Sequence, residues 1–534
     1  MAIRKKRAQL RRALFSYAAG ICLIASAGVA AAQDAGAEGP VTTARSAPIV
    51  AADPVQARLE ALEAQLAVLQ AQISSLKEST SAGLRDVRDT AAAQTQVTLP
   101  NGKPTLASAD GRFTANLHAI AHFDVADYHQ AEPGPLSRDF RRGASASDTA
   151  HARDLNSGTN FRRARLAVDG KLFGDIDYAF VTEFGGAGAE DAGRVYEASL
   201  QYNGLAPLHI KGGLFIPNQG LEDQNSTNGM PFLERPAPSD ITRALAGGDS
   251  RTALQLYGYG DHWLVSGAIT GTNPGTINST GTATAQPFDE QQSFVGRAAF
   301  TPVAGQDWRL HLGVNASYVA RVADTGGPDV TTGRYTVQFR ERPELRVDGT
   351  RLIDTGAIEA RHAYTTGLEA GGQWKNFYAQ AEVWRFGIDR RNSPLSNPRF
   401  HAWYAEGSWV LTGEARRYNP ATAAFDGPAV ARPFNGKDHW GALELAVRYS
   451  DTDLNYHAGV AGGPTPADGV RGGEQKIWTG GLNWYWNPTV RFMLDVQDVK
   501  IDRLSPNPTT FQTPVGAEIG QHYHAVALRS QLAF

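Results

Sequence analysis

The sequence predicts an all-β fold, a 16-stranded antiparallel transmembrane β-barrel, preceded by a short N-terminal helical coiled-coil segment. Three observations predict it. From Arg112 onward, stretches of about ten residues alternate apolar and polar side chains, the period of a strand with two different faces. The connections between them alternate between short and long, as they do when short turns share one side of a membrane and long loops the other. The final stretch, Tyr523 to Phe534, sets Val526, Leu528, Leu532 and Phe534 on one face and Ala525, Ala527, Arg529 and Gln531 on the other. Such a strand suits a wall with lipid outside and water inside.

Composition fits this class. The chain has 534 residues, 56 of them glycine, with 9% aromatics and a mean hydropathy of −0.33. Beyond the N-terminus no run of apolar residues is long enough for a membrane-spanning helix. Low hydropathy is compatible with a barrel, because alternation dilutes the apolar signal.

The elements are taken in chain order. Residues 1–32 read as an export signal: Arg4, Lys5, Lys6, Arg7, Arg11 and Arg12 precede an apolar core, and Ala30-Ala31-Ala32 supplies a small-residue cleavage site. The single cysteine, Cys22, lies in that core, so the exported chain has no disulfide. Loss of the signal removes six basic and no acidic residues, leaving 45 Lys and Arg against 54 Asp and Glu, a net of −9. Whole-chain charge therefore argues against a nucleic-acid partner, and any anion preference must be local. Residues 33–53 read as a linker. Within 54–80, Val55, Leu59, Leu62, Leu66, Leu69, Ile73 and Leu76 recur at alternating steps of four and three, a heptad seam. Asp53 and Pro54 suit its start, and Gly83 weakens the helix just past its end. So short a seam is not stable alone in water and favours self-association. Residues 81–110 read as a second linker.

The barrel domain, 111–534, divides into strands at 112–128, 161–173, 176–185, 194–203, 208–216, 251–259, 262–271, 293–301, 308–321, 359–372, 377–388, 400–412, 440–453, 477–486, 490–501 and 523–534. Tight turns come after the second, fourth, sixth, eighth, tenth and fourteenth, on the side that holds both termini. Long segments, among them 217–250 and 322–358, come after odd-numbered strands. The segment 413–439 is an exception, long but on the short-turn side. A sandwich or propeller has no reason to sort loop lengths this way, and sixteen strands enclose an aqueous channel.

Particular residues resemble a known family. Phe161-Arg162-Arg163-Ala164-Arg165-Leu166, Gly170 to Asp175, Tyr178 and Glu183-Phe184 are similar to the opening of the phosphate-selective porin O/P family. Ile210 to Phe215, Pro217, Leu221-Glu222, Ser226-Thr227 and Phe232 to Arg235 resemble its next strand and inner loop. The resemblance implies a homotrimeric outer-membrane porin, its coil in the periplasm, its third loop folded into the pore, and basic side chains along the path of small anions such as phosphate. Relatives often carry a Lys-Glu-Pro-type sequence after Phe215; here Ile216-Pro217-Asn218-Gln219 supplies no basic residue.

Alternation places Arg163, Arg165, Lys171 and Lys211 on the lumen wall, alongside His209, Glu444, Arg448, Arg491 and Asp495. The inward loop would present Arg235 and Arg243, with Arg251 at its far end. Arg321 falls at a rim. These seven basic candidates either guide an anion through paired, charge-assisted hydrogen bonds or brace wall and loop by pairing with Asp175, Asp177, Glu183, Glu222 and Asp240. Trp308, Trp374, Trp403, Trp440, Trp484 and Trp486 fall near strand ends, as interface girdles do. His118 with His122 and His522 with His524 lack a cysteine or HExxH companion, so neither pair reads as a metal site. No nucleophile elbow or phosphate loop is present; Ser530 with His524 is the one pair an enzyme reading would inspect. No cofactor is implied. The functional classes are thus a diffusion channel for small anions, a general porin without phosphate preference, and an envelope tether acting through its coil.

Overall fold

The computed structural model describes residues 54–92, 94–130, 155–186, 193–246, 250–272, 289–305, 307–324, 326, 331–506 and 514–534. The export signal at 1–32, Cys22 and the linker at 33–53 lie outside the described residues. The chain divides into two compact units, Met1–Arg85 and Asp86–Phe534.

Helix α1, Pro54–Ala92, makes up the described part of the first unit through Arg85. The heptad residues all lie on it, and all are more than half exposed, from Leu59 at 53% to Leu76 at 64%. The helix continues through 81–92, where a linker was expected. A single glycine costs only about 1 kcal/mol in a helix, and Leu84 and Arg85 beside it are good helix formers.

The second unit is a closed barrel. Its strands are β1 Thr114–Gln130, β2 Gly158–Leu172, β3 Ile176–Glu183, β4 Arg194–Leu205, β5 Leu208–Phe215, β6 Arg251–Gly260, β7 Trp263–Thr270 and β8 Gln292–Ala304. The circuit continues through β9 Trp308–Arg321, β10 Ile358–Trp374, β11 Phe377–Arg390, β12 Arg399–Val410, β13 Ala442–Tyr456, β14 Val470–Tyr485, β15 Val490–Asp502 and β16 Gln521–Ala533. Each pairs antiparallel with its chain neighbour, and β16 closes on β1 from Tyr523↔Gln130 to Ala533↔Ile120. All sixteen expected strands are present. Three short strands, Gln96–Thr98, Thr105–Ala107 and Thr336–Val337, extend the sheet.

The two faces are those that alternation predicts. On β7, Trp263, Val265 and Ile269 point out while Leu264, Ser266, Ala268 and Thr270 are buried. On β16, Leu528 and Leu532 are exposed and Arg529 and Gln531 buried. An apolar outer face over an inner face of arginine and glutamate inverts a water-soluble core, and is stable only where lipid covers the outside. Among the described residues no helix is long and apolar enough to cross a membrane; the strands do the spanning. Aromatic contacts gather near the short-turn rim, where Trp374 stacks on Phe377, Phe377 on Trp409, and Phe434 contacts Trp440, Trp484 and Trp486.

Three connections fold into the lumen. The first, 216–250 between β5 and β6, carries helices α2 Leu221–Gln224 and α3 Ala237–Leu245, nearly all buried. The second, 322–357 between β9 and β10, packs Phe339, Leu345, Leu352 and Ile353 against Phe386 and Phe400. The third, 411–441 between β12 and β13, contains a hairpin of Arg416–Asn419 and Ala424–Pro428 that enters from the short-turn side. That hairpin accounts for the one long connection on that side. The buried apolar core therefore lies inside the barrel, between the first two insertions and the wall of β9 to β16.

Candidate functional site

A β-bulge sets the basic wall. His122 pairs with Arg163 but the next residue, Phe123, pairs with Phe161, so Arg162 is the extra residue on β2. Strict alternation would send Arg162 outward. The bulge turns both Arg162 and Arg163 into the lumen, where they are 7% and 3% exposed. Sequence reasoning missed Arg162 for that reason; two consecutive arginines in a strand were the available signal.

Arg162, Arg163, Arg165 and Arg529 gather on β2 and β16, the two strands that flank β1. Arg162 donates to Glu234 at 2.8 and 3.1 Å. Arg165 donates to Glu183 at 2.5 Å. Arg529 donates to both oxygens of Asp124 at 2.6 and 2.7 Å, and to Glu234 at 2.7 Å. Arg163 differs. Its Nη1 meets His122 Nδ1 at 3.3 Å, its Nε has no partner, and among the described residues no carboxylate lies within ion-pair distance of it. His122 in turn reaches Asn228 of the first insertion at 3.3 Å. Among the described residues, Asp124, Glu183 and Glu234 are the carboxylates that Arg162, Arg165 and Arg529 contact here, and Arg163 reaches none of them within ion-pair distance.

The other predicted basic residues occupy two settings. Lys171 and Lys211 belong to one row across the inner face, Thr114↔Lys171↔Asp177↔Gln201↔Lys211. Lys171 pairs with Asp177 and Lys211 with Glu197, each at 2.8 Å. This row borders an open recess of about 360 Å³ lined also by Asn116, Asp169 and Ser199. Six residues separate Lys171 from Arg165 along β2, a rise of about 20 Å at about 3.4 Å per residue. The basic wall therefore runs along the barrel axis beside β1 to β5.

Arg235, Arg243 and Arg251 hold the first insertion together. Arg235 donates to the carbonyls of Glu222, Asp223 and Asn225, at the end of α2. Arg243 pairs with Asp223 at 2.5 Å and Asp240 at 3.1 Å. Arg251 donates to Gln219 and to the carbonyl of Arg243. These contacts set the loop's own shape, and the loop's outer surface is pinned elsewhere. Glu382 of β11 accepts from the backbone N–H of Leu221 and Glu222, Asp495 of β15 from that of Leu233, and Arg491 donates to the carbonyls of Asn228 and Met230. The first insertion therefore spans the lumen from β5 to β15.

The other two insertions lock against it. Arg346 of the second pairs with Asp240 at 2.5 Å, and Glu344 accepts from Arg448 and Ser450 of β13. The third meets the first at two glycines, where a Cβ on Gly229 would lie 2.2 Å from Asp426 Oδ1 and 2.4 Å from the amide of Gly427. Arg416 donates to the carbonyl of Gly229, and the Phe425 amide donates to Asn225. Arg297 of β8 donates to the carbonyls of Thr422 and Ala423 and pairs with Glu369. A recess of about 520 Å³ opens beside this contact, lined in part by Lys103, His118, Asn228, Arg417 and Arg491.

The two histidine pairs lie on different faces of the wall. His122 is inside the barrel and fully buried, and His118 is bonded to Asp169, whereas His522 and His524 are exposed on the outer face. The two pairs stand on opposite sides of the wall because their strands present opposite parities.

The family model described as phosphate-selective porin O and P matches residues 139–534. Porin O of Pseudomonas aeruginosa is 25% identical over 404 residues, covering 72% of this chain and 84% of that protein. An uncharacterised protein of Caulobacter vibrioides is 26% identical over 347 residues, 64% of this chain and 63% of its own length, so the match spans slightly less than two thirds of that relative. Among solved structures, an anion-selective porin from Comamonas acidovorans aligns at 11% identity with a TM-score of 0.41, over 79% of this chain and 99% of that one.

Proposed function

The chain belongs to the phosphate-selective porin O and P family, and from that premise we propose that this outer-membrane channel passes small anions, phosphate among them, along the basic wall of β1 to β5. The observation that carries the reading is Arg163, a guanidinium buried in the lumen among Arg162, Arg165 and Arg529, with no carboxylate among the described residues within ion-pair distance. Desolvating a charge without a counter-ion is costly, and an anion arriving from water would supply the missing partner. Lys171 and Lys211 offer contacts in the open recess, with Arg165 and Arg163 further along the axis. Exchange between successive weak contacts lets an ion enter and leave. Arg235, Arg243 and Arg251 act at one remove, by shaping the insertion that confines the path.

A general porin is the second reading, favoured by the pairing of Lys171 with Asp177 and Lys211 with Glu197, which leaves both signs on the wall. Zero-current potentials across planar bilayers under a salt gradient separate the two. An anion-preferring wild type whose preference falls in Arg163→Gln but not in Arg321→Gln supports the anion path; equal potentials in all three support the general porin. Arg321 is a fair control because it is exposed at a rim and pairs with Asp289.

The exposed seam of α1 is the second element of the proposal. Seven apolar residues at heptad spacing are stable in water once other helices cover them, so α1 forms a periplasmic coil in a homotrimer, following an export signal at 1–32. The mass of the detergent-solubilised assembly, with and without residues 55–76, tests this. Trimers that survive the deletion would place the oligomer contacts in the barrel and leave the coil free to grip another envelope component.

A further inference from the structure

We propose that the outer face of the barrel seam carries a transition-metal site, formed by Asp498 of β15 with His522 and His524 of β16, that binds a borderline divalent ion such as Zn²⁺. Strand register assembles it. Asp498 is the partner of His524, and His524 is the partner of His129 on β1. One carboxylate and two imidazoles therefore stand in a row across three adjoining strands, and His522 lies two residues along β16 on the same face. Each is about half exposed or more, at 45% for Asp498, 60% for His522 and 62% for His524.

The donor atoms of Asp498, His522 and His524 lie within 4.8 Å of one another. Asp498 Oδ1 is 2.6 Å from His522 Nε2 and 3.2 Å from His524 Nδ1. Bonds of about 2.0–2.2 Å at tetrahedral angles separate zinc ligands by about 3.4 Å. Closing the triangle around an ion thus takes side-chain shifts of about an ångström, which exposed side chains toward the long-loop end of β15 and β16 allow. His129, the register partner of His524, pairs with Asp127 at 3.2 Å, and water can fill the fourth position. Two imidazoles and one carboxylate are donors for Zn²⁺, Cu²⁺ or Ni²⁺, whereas Ca²⁺ and Mg²⁺ require more oxygen ligands. Sequence spacing showed the histidines without their carboxylate, because Asp498 lies on the preceding strand. The site is separate from the lumen. An ion there would join β15 to the closing strand β16, next to the seam that β16 makes with β1.

The test uses the full-length chain, free of any histidine tag, refolded in detergent and stripped with chelator. Zn²⁺ titrated into the wild type by calorimetry should bind at one ion per chain with a Kd of about 10 μM or tighter. The His522→Ala/His524→Ala double variant should bind at least about tenfold more weakly, and Asp498→Asn should be intermediate. Zn²⁺ should also raise the temperature at which the wild type loses its folded electrophoretic mobility, and leave the double variant unmoved. The substituted side chains are exposed, so retention of that mobility without zinc confirms that the variants fold. Absence of saturable binding, unchanged affinity in the folded double variant, or equal affinity for Ca²⁺ overturns the proposal.

Discussion

Glu234 gives the sharpest test of the lumen electrostatics. Its carboxylate is 3% exposed and accepts from Arg162 and Arg529, with Arg346 at 3.6 Å. Glu234→Gln removes one negative charge from among these guanidiniums with almost no change in shape, making the local charge more positive by one unit. For an anion passing about 8 Å away, Coulomb's law gives about 0.5 kcal/mol of extra attraction at the dielectric constant of water and about 2 kcal/mol at an effective value of about 20. At about 1.4 kcal/mol per tenfold, anion preference should rise between about twofold and thirtyfold. The effect should shrink as salt rises past about 0.1 M, where the screening length falls below about 10 Å. The assay is the zero-current potential of single reconstituted channels at two ionic strengths, with unit conductance recorded alongside. A potential that stays put, or moves toward cation preference while conductance holds, would refute an ion path beside this cluster.

Three further outcomes are expected from the contacts. Gly229→Val inserts a side chain where Asp426 and Gly427 leave no room, at a cost of about 1–3 kcal/mol; the hairpin should draw back and unit conductance rise, and an unchanged conductance would place the constriction elsewhere. Replacing residues 413–438 with a short Asn-Gly turn should leave a folded barrel with larger conductance, because that hairpin enters the lumen and closes no strand pair of the wall; a barrel that fails to fold would assign the hairpin a structural role. At the rim, hydrogen bonds from Ser396 and from the His457 ring hold the Asp468 carboxyl below its ordinary range. A depressed carboxyl pKa means that the tie persists above the unfolded value and is lost as pH falls through the folded one, so amide exchange in 457–469 should quicken below about pH 4. Exchange that does not respond to acid would remove Asp468 from that role.

The strands were legible because a wall between lipid and water imposes a period of two, as the outer face of β7 shows with Trp263, Val265 and Ile269. Legibility failed where tertiary structure broke the period. The bulge at Arg162 depends on pairing with β1, which no local pattern encodes. The hairpin within 411–441 reads locally as a polar loop, since its burial arises from Arg297, Asn225 and Gly229, up to about two hundred positions away in the chain. The seven basic candidates were recognisable as residues that strand parity and the inner loop would bring inside. What each does there depended on acceptors across the lumen. Arg235 shows this: its three acceptors are backbone carbonyls, which carry no residue-specific signature. The same holds outside, where His522 and His524 acquire Asp498 only through register. Gly83 is a smaller case, in which one helix-weakening residue was outweighed by the residues around it.

The measurement that bears most directly on the central claim is block of chloride current by inorganic phosphate through the reconstituted wild-type channel. Concentration-dependent block is expected at about millimolar phosphate or below, the range in which a weak site holds its ligand, with the block relieved in Arg163→Gln. Chloride current indifferent to phosphate across that range, in a channel that otherwise conducts, would contradict it.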